Sequence, residues 1–428
     1  MIFNVRFSSS DSFSAGENEQ IIDFSSNDSV MFTFWKVREK FPSWYDTKAL
    51  DLLYISIAVF VADRKSLREK AYDAWSREFY LYMPVLNCEL MEENKELIQK
   101  MLSFLTGDIW HFEFRSRELT ITENEHLNRK SRKKEKEYNQ ICMFSGGMDS
   151  FIGAIDILDN DHNNTLFVSH YGGGKGTKEY QDYLKKLFVY KYGLEDRDFL
   201  QFYVKAVGGV EDTTRSRSIL FFAHAVVLAS AQNKPVTIII PENGLISLNI
   251  PISLSRIGTS STRTTHPNYM KMLQKLISNL GLLVTFKNPY QFKTKGEMLL
   301  ECCNQEFMKE NIHHTMSCSH PDIGRMYSET EPMHCGYCLP CVIRQAAIKR
   351  AGIVDDSPYR DSGFSSGPNA KMILNSYRLG ISKYNPKYAF MNIKLNGRIE
   401  EQIEEYTALY IRGMKELKEY IDSVDSDV

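Results

Sequence analysis

The sequence predicts an α/β protein: a parallel sheet with helices on both faces, an α+β unit before it, and a helical, metal-bearing region after it. Three observations carry this prediction. Strand-like and helix-like segments alternate between Gln140 and Phe286. A glycine turn, Phe144-Ser145-Gly146-Gly147-Met148-Asp149-Ser150, joins the first of those strands to the first helix. Four of the eight cysteines crowd between Cys318 and Cys341.

The elements follow in chain order. Residues 1–127 read as a mixed α+β unit. Ser29–Phe34 alternates as a strand does. Ala49–Ala62 is apolar on most faces and fits a buried helix or a long strand. Trp75–Tyr82 is aromatic-rich and partly alternating, with a break at Pro84, and Ile109–Phe114 alternates again. Residues 128–137 form a basic linker; Arg129–Lys136 is nearly all cationic but has no interleaved aromatic residue, so a solvated connection is favoured over a nucleic-acid patch. Residues 138–290 hold strands near Ile141–Met143, Thr165–Ser169, Leu200–Ala206, Val236–Ile240 and Leu282–Phe286. Between them lie helices near Phe151–Leu158, Lys178–Lys191, Ser216–Ala231 and His266–Leu280. Residues 291–428 turn helical and cysteine-rich, with a loop at Asp361–Asn369 and an amphipathic helix over Glu400–Ile421.

A chain of 428 residues with net charge −2 and 43% hydrophobic content has room for two or three domains and reads as globular. There is no basic excess to drive nucleic-acid binding by bulk charge. The first residues lack the layout of a signal peptide, and the best apolar run, Leu52–Val61, is too short to span a membrane. A cytoplasmic location without a membrane partner is the expectation, and there a cysteine cluster points to metal rather than disulfides.

The turn at Phe144–Ser150 aims backbone N–H groups and a helix N-terminus at one spot, which suits phosphate. Gly146 and Gly147 allow positive φ and close approach of an anion. Ser145 and Ser150 add hydroxyls, and Asp149 adds a carboxylate able to hold Mg²⁺ on phosphates. The Gly-Lys-Ser/Thr ending of a Walker loop is missing. Cys318, Cys335, Cys338 and Cys341 follow a Cys-x16-Cys-x2-Cys-x2-Cys spacing, with Gly336 in the knuckle. Four thiolates suit a closed structural Zn²⁺ site, with an iron–sulfur cluster as the rival. Cys142, Cys302 and Cys303 read as core.

Ser-Gly-Gly-x-Asp-Ser resembles the pyrophosphatase loop (PP-loop) of enzymes that split ATP between its α and β phosphates. With Cys335-Gly336-Tyr337-Cys338-Leu339-Pro340-Cys341-Val342-Ile343-Arg344, the ordered set is similar to the QueC-like 7-cyano-7-deazaguanine synthase family. His170-Tyr171-Gly172 resembles that family's Asp-Tyr-Gly, with Lys175 following. Arg215-Ser216-Arg217-Ser218 resembles Pro-x-Arg-Asn, and Thr294-Lys295-Gly296-Glu297 resembles Thr-Lys-x-Glu. The resemblance covers about Gln140 to Ala351.

The resemblance implies a PP-loop fold and an ATP-dependent, AMP- and pyrophosphate-forming enzyme that adenylates a 7-deazaguanine carboxylate. It assigns nucleotide binding to Phe144, Ser145, Gly146, Gly147, Asp149, Ser150, His170, Lys175 and Arg215. Catalysis falls to Asp149, Ser150, Arg217 and Lys295, and zinc to the four cysteines. Housekeeping members carry Tyr-Pro-Asp-Cys-Arg where this chain has Ser261–Asn268, so the base-reading aspartate is absent. Thr264, Thr265 and His266 remain as hydrogen-bonding groups there, or Thr265 or Thr264 is the cap of a helix starting at His266-Pro267. Glu242 and Asn243 are further candidate substrate contacts, or a turn. The N-terminal unit is a second departure. It resembles the layout of the QatC group of the Qat anti-phage defence system and relatives in CBASS operons. That likeness implies a partner protein as acceptor, docked through residues 1–127. The competing readings are a tRNA-modifying PP-loop enzyme and a nucleotide-sensing scaffold.

Overall fold

A computed structural model describes residues 1–40, 45–128, 136–160, 164–172, 175–252, 263–324 and 330–424. Most of the expected basic linker and Ser261–Thr262 lie outside the described residues.

The first 127 residues supply β1 (Ile2–Arg6), β2 (Gln20–Asp23), β3 (Val30–Phe32), α1 (Thr47–Lys65), β4 (Glu78–Val85), α2 (Cys88–Glu93), α3 (Lys95–Thr106), β5 (Ile109–Ser116) and α4 (Ile121–Leu127). Four of these strands form a sheet in the order β2-β1-β4-β5, and every pairing in it is parallel. The unit is therefore α/β in character, not the α+β arrangement expected. β4 and β5 are joined through α2 and α3, and β1 and β2 by a loop of residues 7–19, so no hairpin occurs in this sheet. Nor does β4 break at Pro84, which pairs with Arg115 of β5. On the other side β1 reaches only from Tyr80 to Tyr82, so the proline's missing N–H falls beyond that pairing.

The second sheet is built from β6 (Gln140–Met143), α5 (Met148–Asn160), β7 (Thr165–Tyr171), α6 (Lys175–Tyr192), β8 (Phe199–Ala206), α7 (Arg217–Ser230), β9 (Val236–Ile239), α8 (Gly244–Leu248), α9 (Pro267–Asn279) and β10 (Val284–Lys287). Its order is β10-β9-β6-β7-β8-β3. All pairs are parallel except the edge strand β3, which runs antiparallel to β8. The chain moves outward from β6 to β7 and β8, then returns to lay β9 on the other side of β6. That reversal leaves a crevice at the carboxyl ends of β6 and β9, where such sheets hold ligands.

The first unit does not pack as a separate body. It lends β3 to the second sheet, and one continuous apolar core runs from Phe3 and Val5 through Leu53 and Phe60 to Val226 and Ile277. Helix α1 touches β4, β8 and α7. Lying between layers, it buries nearly every residue from Ala49 to Asp63, which explains its lack of a polar face.

The remaining helices are α10 (Lys295–Glu301), α11 (Gln305–Asn311), α12 (Leu339–Ala351), α13 (Pro368–Lys383), α14 (Ala389–Asn396) and α15 (Ile403–Ile421). The amphipathic α15 lays Leu409, Met414 and Leu417 into a core shared with Val342 and Ile343 of α12 and Leu245 of α8. Among the described residues, no helix is long and apolar enough to cross a membrane.

Candidate functional site

The turn after β6 lies at the mouth of the crevice. Phe144 extends the strand by one residue, its N–H donating to Val168 O at 2.7 Å. Gly146 has φ +85°, and a Cβ there would sit 2.9 Å from Gln181 Cγ, so both backbone and space require glycine. Gly147 does not have positive φ, contrary to expectation, and a Cβ there would lie 3.4 Å from Met316 O, an ordinary contact distance. The N–H groups face hydroxyls. Gly146 N donates to Ser150 Oγ at 3.2 Å, Gly147 N to Ser145 Oγ at 3.4 Å, and Met148 N to Ser317 Oγ at 3.3 Å. These are long, weak bonds. A phosphate oxygen would accept from the same donors with about twice the strength.

Two other segments converge on Asp149 at the start of α5. Its Oδ2 accepts from Asn243 N at 3.1 Å and Asn243 Nδ2 at 2.7 Å, in the turn after β9. Lys295 Nζ lies 2.9 Å from Oδ1. Lys295 is placed by helix-start chemistry: Thr294 is the N-cap of α10, and Glu297 completes a capping box. Burial acts to raise the Asp149 pKa, but the Lys295 ammonium and the Asn243 donors outweigh it and hold the carboxyl below its ordinary value. Glu242, one residue before Asn243, goes the other way. Burial, then the neighbouring Asp149 charge, pushes its carboxyl well above the usual range.

A second group sits at the end of β7. Arg217 Nε donates to His170 Nδ1 at 3.3 Å, and Arg217 Nη2 to His170 O at 3.3 Å. Burial first and Arg217 second push the His170 pKa well down, so the ring is neutral with its proton on Nε2. That Nε2 is buried and has no hydrogen-bond partner among the described residues. Gln181 of α6 ties this group to the turn, its Nε2 donating to Ser145 O at 2.9 Å and to His170 O at 3.3 Å.

Two expected nucleotide contacts are placed elsewhere. The Phe144 ring is buried against Phe167, Phe188 and Phe199, because alternation along β6 turns it into the core. Arg215 faces the N-terminal unit, donating to Thr106 O at 2.8 Å and lying over the Trp75 ring. It belongs to a buried ionic group in which Arg77 binds Asp63 and Asp108 and Asp63 accepts from Ser216 N. The Lys175 side chain lies outside the described residues. His266, not Thr265, caps α9, its Nδ1 accepting from Asn268 N at 3.1 Å, with Pro267 in the first turn. Arg263 donates to Phe104 O of α3. Gln181 and Ser317 carried no sequence signal; both act across long stretches of chain.

The four cysteines meet as expected. Their Sγ atoms all lie within 4.8 Å of one another, and Cys318–Cys338 and Cys335–Cys341 are each 3.9 Å apart. Four thiolates tetrahedrally around one Zn²⁺ at about 2.3 Å stand about 3.8 Å apart, so the arrangement can hold zinc. Cys335 N donates to Cys318 Sγ and Cys338 N to Cys335 Sγ, each at 3.3 Å, which favours the thiolate form. Gly336, at φ +93°, makes the knuckle between the second and third ligands. Cys338 is the N-cap of α12 and Cys341 lies in its first turn. Cys142 is fully buried and burial pushes its thiol up, which opposes a reactive role. No family model, curated protein or solved structure matches the chain.

Proposed function

We propose that the chain is a QueC-like PP-loop enzyme. It binds ATP in the crevice between β6 and β9, forms AMP and pyrophosphate, and activates the carboxylate of a 7-deazaguanine-type molecule. The observation that carries this reading is the meeting of the Ser145–Ser150 turn, Asn243 and Lys295 at the carboxyl ends of β6, β9 and β10. A glycine turn alone is a common structure. One whose aspartate is held ionised by segments from two other strand ends is a built site.

The residues divide the work. The N–H groups of Gly146, Gly147 and Met148 and the hydroxyls of Ser145 and Ser150 receive phosphate oxygens. Arg217 and Lys295 stabilise the charge that develops as pyrophosphate leaves. Magnesium accompanies ATP and draws charge from its phosphates. The oxygen donors offered to it are Asp149 and Glu242. Lys295 already pairs with Asp149, so binding of a cation at this pair would act against the raised pKa of Glu242 and favour its carboxylate form. Zinc in the four-cysteine site has no open position and is structural.

The activated carboxylate is open to attack by ammonia or by an amine of a partner protein. Conjugation to a partner is favoured by one feature of the first sheet. Ile21, Tyr80 and Ile109 lie on one face by register and are exposed, whereas parallel sheets are ordinarily covered on both faces. This leaves the N-terminal unit a surface for docking, within an antiviral defence system. Intact-mass measurement of proteins encoded beside this one, after turnover with ATP, tests it: an unchanged mass contradicts conjugation. Pyrophosphate release tests the core of the reading. Asp149→Ala should abolish release while leaving the four-cysteine metal in place, and undiminished release from that variant would sink the assignment.

A further inference from the structure

The segment Thr315–Cys318 joins the two sites. At one end, Arg344 Nη1 donates to Thr315 Oγ1 at 2.6 Å and His334 Nε2 meets Thr315 O at 3.1 Å. At the other end, Cys318 is one of the four clustered cysteines. Between these anchors the chain lies directly on the glycine turn. Met316 N donates to Gly146 O at 2.9 Å, and Met148 N donates to Ser317 Oγ at 3.3 Å. Met316 is buried, and its carbonyl packs against the turn, 3.4 Å from where a Cβ on residue 147 would lie.

A backbone bond and a side-chain bond thus fix the turn from outside. Both come from residues next to a metal ligand. A four-residue segment held at each end has little freedom to move. Freed at Cys318, it keeps only the Thr315 anchor, and the two contacts to the turn must then order a loose strand of chain at entropic cost.

We propose that Met316 and Ser317 form a metal-anchored strap that sets the geometry of the Gly146–Met148 turn, with Ser317 as its positioning residue. The Ser317 hydroxyl holds the Met148 N–H in the direction an anion needs, and yields that donor when a phosphate oxygen arrives. The metal therefore acts on the turn at a distance, without touching the ligand. The proposal rests on the reading of this turn as a phosphate cradle only for that last step; the mechanical link between metal and turn does not depend on it.

Hydrogen–deuterium exchange, read by mass spectrometry on the peptide spanning Phe144–Ser150 without nucleotide, tests the link. Stripping the metal with a chelator should accelerate exchange in this peptide, while Ile141–Met143 and the far end of α5 stay protected. Unchanged exchange in the stripped protein overturns the proposal, as does uniform acceleration across the chain. Ser317→Ala provides a second arm with the metal retained. Loss of one net hydrogen bond predicts about fivefold faster opening at the Met148 amide, and Ser317→Thr should restore protection. Ser317→Ala exchange equal to wild type, at equal metal content, also overturns it. Adding ATP is read separately: no slowing of exchange in the wild-type turn counts against the phosphate reading and leaves the strap standing.

Discussion

Asp149 and the partly exposed Glu242 face the Lys295 ammonium, one cation against two carboxyls among the described residues, and the chemistry of the site turns on that ratio. Lys295 and Asp149 are both almost wholly buried. Removing one partner leaves a charge without solvent, which typically costs about 3–5 kcal/mol. Lys295→Ala is therefore expected to lower unfolding stability by roughly 3 kcal/mol, while Lys295→Arg loses less; chemical denaturation of the three proteins checks this. Glu242 makes a pH prediction of opposite sign to an ion-paired carboxylate such as Asp149. Its folded pKa is raised, so its contribution to stability is full below the ordinary carboxylate range and is lost as pH rises through the raised value. Stability of wild type relative to Glu242→Gln should fall as pH rises from the ordinary carboxylate range toward the raised value. A flat difference would show that Glu242 does not carry the proton assigned to it. At this scale the sequence was legible where a motif is local. Ser145, Asp149 and Ser150 stand within six residues of one another, and Lys295 sits in a capping pattern. Asn243 meets Asp149 across 94 residues and Ser317 meets Met148 across 169, and no local pattern encodes such pairs.

Elements were legible where periodicity and packing agree. The strands and helices between Gln140 and Phe286 fall close to where the sequence pattern places them: β6, β7 and β9 are largely buried on both faces, and β8 alternates toward its end. The N-terminal elements were harder. Helix α1 is apolar all round because it lies between layers, so its sequence has no period to distinguish helix from strand. Pro84 looks like a strand end, yet β4 continues through it where one neighbour has already stopped. Arg215 precedes α7 and Arg217 begins it, and the two reach different layers: one Thr106 and Trp75, the other His170. The cysteine knuckle, by contrast, is local in sequence and in space. Elemental analysis should find one zinc per chain; iron in its place, or no metal with four free thiols, would contradict the assignment.

At the scale of the molecule, the first unit completes the second sheet. It supplies the edge strand β3 and the helix α1 that covers α7. It also supplies Asp63, which accepts from Ser216 at the start of α7 and so helps aim Arg217 at the crevice. A fragment of residues 138–428 would expose the α7 face that buries Ala223, Val226 and Val227, and it is expected to be insoluble or molten. A cooperatively folded fragment, shown by a sharp thermal transition, would mean that the shared core is dispensable.

The central claim is that this crevice cleaves ATP between its α and β phosphates. Phosphorus NMR of the products, after incubation of the metal-replete protein with MgATP, a 7-deazaguanine carboxylate and ammonium, tests it most directly. The account predicts AMP and pyrophosphate in equal amounts, lost together in Asp149→Ala. Formation of ADP and phosphate, or no turnover of ATP at all, would contradict it.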